Sequence, residues 1–284
     1  MRSPESQVPM CPQVAWAEPT KGLGVRTDWR DFYLVHDELR LSTDAEVDAA
    51  ETSLGVRLPD GYRELMTTLG AGTISDDLCV IAPTELVSKQ ALFREVVEQA
   101  WFFDEPDEEL TPDYALASTW IADSDVGDLI IVHPGTGRMH VLPRDEERTY
   151  AVGRDLHEVV GWWLDSGVLR RPRPFRFFES FVGPTEAANG VALRAGFARV
   201  SEAVRSLGLH DVEVTGEDED GRSDSRTFFV KAIGGFLSIL DSRVTDLHVH
   251  FRYQTDHSPE VRAQLRESAV AAGVSFGRPW SMTP

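Results

Sequence analysis

Carboxylates and histidines are the residue types in this chain best placed to do chemistry. Between Phe102 and Val132 no Lys or Arg occurs, while Asp104, Glu105, Asp107, Glu108, Glu109, Asp113, Asp123, Asp125 and Asp128 all fall there. Such a run supports two readings: a solvated loop that keeps the chain soluble, or an electrostatic landing site for a cationic surface. No ligand spacing accompanies the charge, which disfavours a metal site. His248 and His250 alternate on one strand face with Asp246 and Arg252, so the two histidines could share a metal with His257 as a third ligand. A half-exposed strand accounts for the same pattern more simply. Asp218, Asp220 and Gly221 have the outline of a calcium loop, but Gly216 occupies the first-ligand position and Thr227 the place of the closing glutamate. Neither Cys11 nor Cys79 has a CxxC partner, and no GxSxG, HExxH or phosphate-cradling glycine loop is present. The expectation is a protein without catalysis, cofactor or resident metal.

Charge narrows the partners. A net charge of −19 over 284 residues disfavours nucleic acid, whose binding depends on clustered Lys and Arg, and favours a basic protein. No apolar run approaches the roughly 20 residues that cross a bilayer, and no apolar leader core opens the chain. Two widely separated cysteines make a disulfide framework improbable, so a reduced cytoplasmic location is expected. Oligomeric state is not legible.

The elements that must carry these residues are best marked at LPDGYRELMTTLGAG, starting at Leu58. Pro59 suits a first helical turn, Asp60 the positive end of the helix dipole, and Tyr62, Leu65, Met66 and Leu69 share one face before Gly70 ends the helix. Upstream, Thr43 and Glu46 have capping-box spacing, with Val47, Ala50 and Leu54 on one face and Gly55 as the stop. With Glu51, Leu58 and Gly72, these positions resemble the signature of the SUKH superfamily, which includes fungal cell-wall-synthesis regulators and many bacterial toxin-immunity proteins. Ala122, Asp123, Gly127, Asp128, the strand pair that follows and a closing helix through Trp163 extend the resemblance over residues 28–168. The resemblance implies an α+β fold, a central mixed or antiparallel sheet flanked by helices, and function by protein binding. Glu51 reads more simply as a capping or inter-helix hydrogen-bond acceptor than as a partner contact.

Along the chain, residues 1–27 read as a mobile tail and Asp28 to about Leu39 as a helix. A strand near Leu78 to Ile81 precedes a helix opened by Pro83 with Leu86, Phe93, Val96, Val97, Ala100 and Trp101 inward. Asp128–His133 and Arg138–Pro143 flank a turn, placing Ile130, Val132, Met139 and Val141 on an apolar face and His133 and His140 on the other. Asp155 opens a helix that buries Leu156, Val159, Val160 and Trp163 and leaves Trp162 toward the second half. Pro172, Pro174 and four arginines mark 169–178 as a linker. A smaller α+β unit over 179–284 is expected: a helix from about Thr185 to Leu207, strands at Val212–Thr215, Thr227–Ile233 and Thr245–Tyr253 with an irregular Gly-rich segment between the last two, and a helix from Pro259 to Ala272.

Overall fold

The computed structural model describes residues 26–100, 110–173, 175–181, 183–192, 196–217, 224–241 and 247–282. The expected helix after Asp28 is a single 3-10 turn, Trp29–Asp31, leading into strand β1 (Tyr33–Leu34). Trp29, Phe32 and Val35 are buried three residues apart, which mimics helical spacing. Long-range pairing decides otherwise: the N–H groups of Tyr33 and Val35 donate to Arg176 and Phe178. Thr27, at the end of the expected tail, is buried, and its carbonyl lies 2.5 Å from His157 Nδ1.

Helix α1 (Asp44–Leu54) carries the full capping box, with Thr43 Oγ1 accepting from Glu46 N–H and the Glu46 carboxylate accepting from Thr43 N–H. Helix α2 (Tyr62–Thr68) starts three residues after Pro59, whose carbonyl instead accepts from Tyr62 N–H to make a turn. That turn frees Asp60 to bridge Asp155, so Pro59 shapes the approach to the helix rather than its first turn. Strands β2 (Gly72–Ile74) and β3 (Leu78–Val80) follow, then α3 (Leu86–Ala100) and α4 (Pro112–Ala117). In α3, Leu86, Phe93 and Val97 are buried as expected, but Val96 is 41% exposed because it lies on the flank away from the sheet. Ala100's side chain and Trp101 lie outside the described residues.

Strands β4 (Thr119–Ser124), β5 (Leu129–Val132), β6 (Met139–Leu142) and β7 (Tyr150–Gly153) continue an antiparallel meander. Ile130 pairs with Val141 and Val132 with Met139, so the expected apolar face exists. The opposite face is also covered: Tyr114 from α4 stacks on His133 and meets His140 edge-on, and His140 is fully buried. Helix α5 (Leu156–Asp165), capped by Asp155, buries Leu156, Val159, Val160 and Trp163. Trp162 packs on Tyr150 of β7, within the same unit, rather than toward the second half.

The segment expected to link two units supplies β8 (Phe177–Ser180), which inserts between β1 and β2. The first sheet is therefore eight-stranded in the order β1-β8-β2-β3-β4-β5-β6-β7, parallel only at β1 and β8. Alternating apolar residues in PFRFFES favour extended chain, and β2 offers an open edge; together they pull the linker into the sheet.

A second sheet follows. It comprises β9 (Thr185–Ala192), β10 (Val212–Glu217), β11 (Asp224–Val230), β12 (Gly235–Asp241), β13 (Leu247–Gln254), β14 (Ser275–Phe276) and β15 (Trp280–Met282), with α6 (Phe197–Arg205) and α7 (Pro259–Ala271). Residues 185–192, expected to be helical, are the inner strand β9, held between β13 on one side and β14 and β15 on the other. Expected strand 227–233 turns into a 3-10 turn at Lys231–Ile233, and the segment expected to be irregular is β12. Gly235 makes β12 possible, because a Cβ there would stand 2.0 Å from the Arg252 carbonyl.

Helices α6 and α7 cover one face of this sheet over Val200, Val204, Phe228, Leu237, Phe251 and Leu265. The other face meets the first unit through Val35, Phe177, Phe229 and Phe236, with Tyr33 and Phe175 alongside. Arg252 reaches across this seam to Asp76 at 2.5 Å and Glu179 at 2.8 Å. The described residues thus form helices with one mixed and one antiparallel sheet, an α+β fold. No helix among the described residues is long and apolar enough to cross a membrane.

Candidate functional site

A cleft of about 250 Å³ opens where the two sheets meet, lined by Asp76, Asp77, Asp123, Asp125, Glu179 and Arg252 among others. Local sequence places each carboxylate. Ser75 and Asp76 take left-handed backbone conformations (φ 52° and 59°) in the tight turn from β2 to β3, which turns Asp76 and Asp77 toward the cleft. Asp123 is the penultimate residue of β4, Asp125 follows in the next turn, and Glu179 lies on the inserted β8.

Beneath the cleft lies a charge network. Asp77, 1% exposed, accepts from Trp163 Nε1 at 3.0 Å and faces Arg170 Nη1 at 3.0 Å. Arg170 also meets Asp125 at 3.1 Å and Asp128 at 3.3 Å, while Arg173 reaches Asp77 and donates to the Ser75 carbonyl. Asp128 further accepts from Ser124 Oγ and from Arg144 N–H. Among the described residues, the carboxylates Asp76, Asp77, Asp123, Asp125, Asp128 and Glu179 are paired with Lys89, Arg170, Arg173 and Arg252. Burial, reinforced by a hydrogen bond with Asp125, pushes the Asp77 carboxyl up to about 6 against the pull of Arg170, Trp163 and Arg173. Burial also raises Asp123, opposed by Lys89 at 3.5 Å, and raises Glu179 despite Arg252. The Cys79 thiol on the cleft wall is pushed up to about 12, chiefly by burial, so at neutral pH it is a poor nucleophile.

The cleft brings together Asp123 and Asp125 from the expected acidic surface. Asp113 is exposed at the start of α4 and does not line it; Asp104, Glu105, Asp107, Glu108 and Glu109 lie outside the described residues. Gly127, Asp128 and Trp163 support the cleft from below, with Gly127 left-handed (φ 99°) in the β4–β5 turn. Gly70 and Gly72 let chain pass close by: a Cβ would stand 1.9 Å from the Arg40 carbonyl and 2.3 Å from the Glu179 carbonyl, respectively. Glu51, Leu58 and Pro59 line a separate hollow of about 220 Å³. There Glu51 accepts from Leu58 N–H at 2.8 Å and meets Arg63 at 3.3 Å, bracing α1 against the start of α2, while Tyr62 hydrogen-bonds the Ile81 carbonyl.

The structure does not gather the three histidines. His248 is exposed; His250 stacks on Trp280; His257 lies near His36 and pairs with Asp256 at 3.1 Å. Among the described residues no group of three or more His, Cys, Asp or Glu is placed to hold a metal ion. Sequence reasoning missed Asp76, Asp77 and Glu179 as wall residues and Arg170, Arg173 and Arg252 as counterions. The adjacent Asp76 and Asp77 and the arginine-rich linker were the available signals.

Comparison with known families matches residues 41–160 to the SMI1 / KNR4 family (SUKH-1). This segment is a SUKH domain. It runs from just before α1 into α5 and includes Asp77, Asp123, Asp125 and Asp128; β1, β8 and the whole second sheet lie beyond it. At a coarse level the SUKH domain marks an immunity or regulatory module that works through protein–protein contact. No curated protein and no solved structure matches the chain.

Proposed function

We propose that this protein is a non-catalytic binding module that neutralises a basic polymorphic-toxin domain by docking on it and occluding its active site. The acidic cleft is the observation that carries this reading. Among the described residues its carboxylates outnumber the cations paired with them, and the Asp125 side chain, 55% exposed, stands at the mouth. A partner's Arg or Lys entering there would meet excess negative charge already desolvated by the fold, with fast, salt-sensitive association as the consequence. Blockade would be steric and electrostatic, require no cofactor, and suit a cytoplasmic protein. Within this reading exposed Asp113 adds negative charge on α4, and the acidic residues of 104–109, outside the described residues, add to the net charge of the chain.

The test is co-expression. Cells producing the proposed partner, a basic toxin domain, should survive with the wild-type chain and die with Asp125→Lys. A regulatory scaffold of the same fold would give stable endogenous partners and no rescue. A metal-dependent enzyme in the second unit would instead show stoichiometric metal lost on replacing His248 and His250 by Ala.

A further inference from the structure

The seam between the two units contains a titratable group in an unusual hydrogen-bond setting. His36 is 1% exposed, and both of its ring nitrogens lie within hydrogen-bond distance of backbone carbonyls: Nδ1 is 2.8 Å from Glu38 O and Nε2 3.1 Å from Ser180 O. Nε2 also lies 2.9 Å from the side-chain nitrogen of Gln254, which belongs to the second unit and is itself 1% exposed. Gln254 Oε1 is buried without a partner among the described residues.

A neutral ring has one N–H and donates to only one of the two carbonyls. Nδ1–H donates to Glu38, and the Nε2 lone pair accepts from the Gln254 amide, tying the units together. A second ring proton on Nε2 would be accepted by the Ser180 carbonyl, within the first unit, and would face the Gln254 N–H donors, so the link to the second unit is lost unless the amide turns over. We propose that His36 makes the docking of the two units acid-responsive, with proton uptake on Nε2 cancelling the Gln254 cross-link and loosening the seam.

The surroundings favour the neutral ring in the closed state. Burial holds the His36 pKa below its ordinary value, and His257 adds to the lowering, against the raising influence of the Glu38 and Ser180 carbonyls and the Glu38 charge. His257 faces His36 edge-on from the turn after β13, with Asp256 beside it. Glu179 on β8 is paired with Arg252 at 2.8 Å, and Asp37 with Lys231 at 3.3 Å. A lowered histidine pKa means that docking energy is complete above the ordinary value of 6.5 and is lost as the pH falls below it. Val35, next in sequence, belongs to the aromatic patch that forms the apolar half of the seam, so loosening exposes Phe177, Phe229 and Phe236.

Hydroxyl-radical footprinting of the full chain from about pH 7.5 to about pH 5.5 reads this directly. The expected result is a rise of about threefold or more in oxidation of Phe177, Phe229 and Phe236 as the pH falls, with Phe93 and Phe251 in the two cores unchanged. His36→Gln, which cannot take up the proton, should show no pH dependence at those rings. His257→Gln should keep it. Three results would overturn the proposal: no selective rise in the wild type, the same rise in His36→Gln, or a transition that vanishes in His257→Gln but survives in His36→Gln. A rise shared by Phe93 and Phe251 signals global acid unfolding and counts against it equally.

Discussion

Single residues set the geometry of this protein chiefly by what they leave out or neutralise. Gly70 and Gly55 both adopt left-handed backbone, at φ 81° and 68°, but only Gly70 lies against other chain, 1.9 Å from the Arg40 carbonyl at its missing Cβ. Gly55→Ala should cost about 1 kcal/mol, the ordinary penalty for that conformation. Gly70→Ala should cost about 3 kcal/mol or more, because the backbone must move; urea denaturation of the two variants separates them. Asp77 gives a pH signature. Its carboxyl, pushed up to about 6, is protonated more readily in the fold than in the unfolded chain, where 3.8 applies. Its contribution to stability is therefore complete below 3.8 and lost as the pH rises through about 6. Comparing wild type with Asp77→Asn by denaturation across that range should show a stability difference that changes between these values and is flat outside them. Raised pKa values at Asp77, Asp123 and Glu179 share one cause, burial against incomplete neutralisation, and the same imbalance would make the cleft attractive to an incoming cation.

Elements with their own punctuation were legible in the sequence; those held by distant strands were not. Helix α1 has both halves of its capping box and a glycine stop, and α7 opens on Ser258 and Pro259, so local residues suffice to place them. Strand β9 is different: TEAANGVA has helical composition, yet β13, β14 and β15 claim its backbone hydrogen bonds. Helical spacing of Trp29, Phe32 and Val35 concealed β1 for the same reason, since its partner β8 is more than 140 residues away. The acidic residues Asp123 and Asp125 were legible by charge, but their company in the cleft depends on a turn and an inserted strand that charge does not reveal. Strand β8 yields a prediction. A fragment ending at residue 168 leaves the β2 edge unpaired and β1 without its neighbour, whereas one ending at residue 181 keeps the first sheet complete. The longer fragment should melt higher and stay monomeric longer; equal melting temperatures would show that β8 is dispensable to the first sheet.

At the scale of the molecule, a SUKH domain is joined to a second sheet through an aromatic seam, with Arg252 held between Asp76 and Glu179 beside the acidic cleft. The second unit therefore forms one wall of the site and is part of the proposed binding surface. An association driven by this cleft should weaken steeply with salt, because its mouth is exposed and within a Debye length of solvent ions. The most direct test is calorimetric titration of the full chain with the proposed partner, a basic toxin domain, for wild type, Asp125→Asn and Asp125→Lys. The account predicts saturable, salt-sensitive binding that weakens modestly in Asp125→Asn and at least about tenfold, roughly 1.4 kcal/mol, in Asp125→Lys, with both variants folded by circular dichroism. Undiminished binding by Asp125→Lys, or no binding by the wild-type chain, would contradict it.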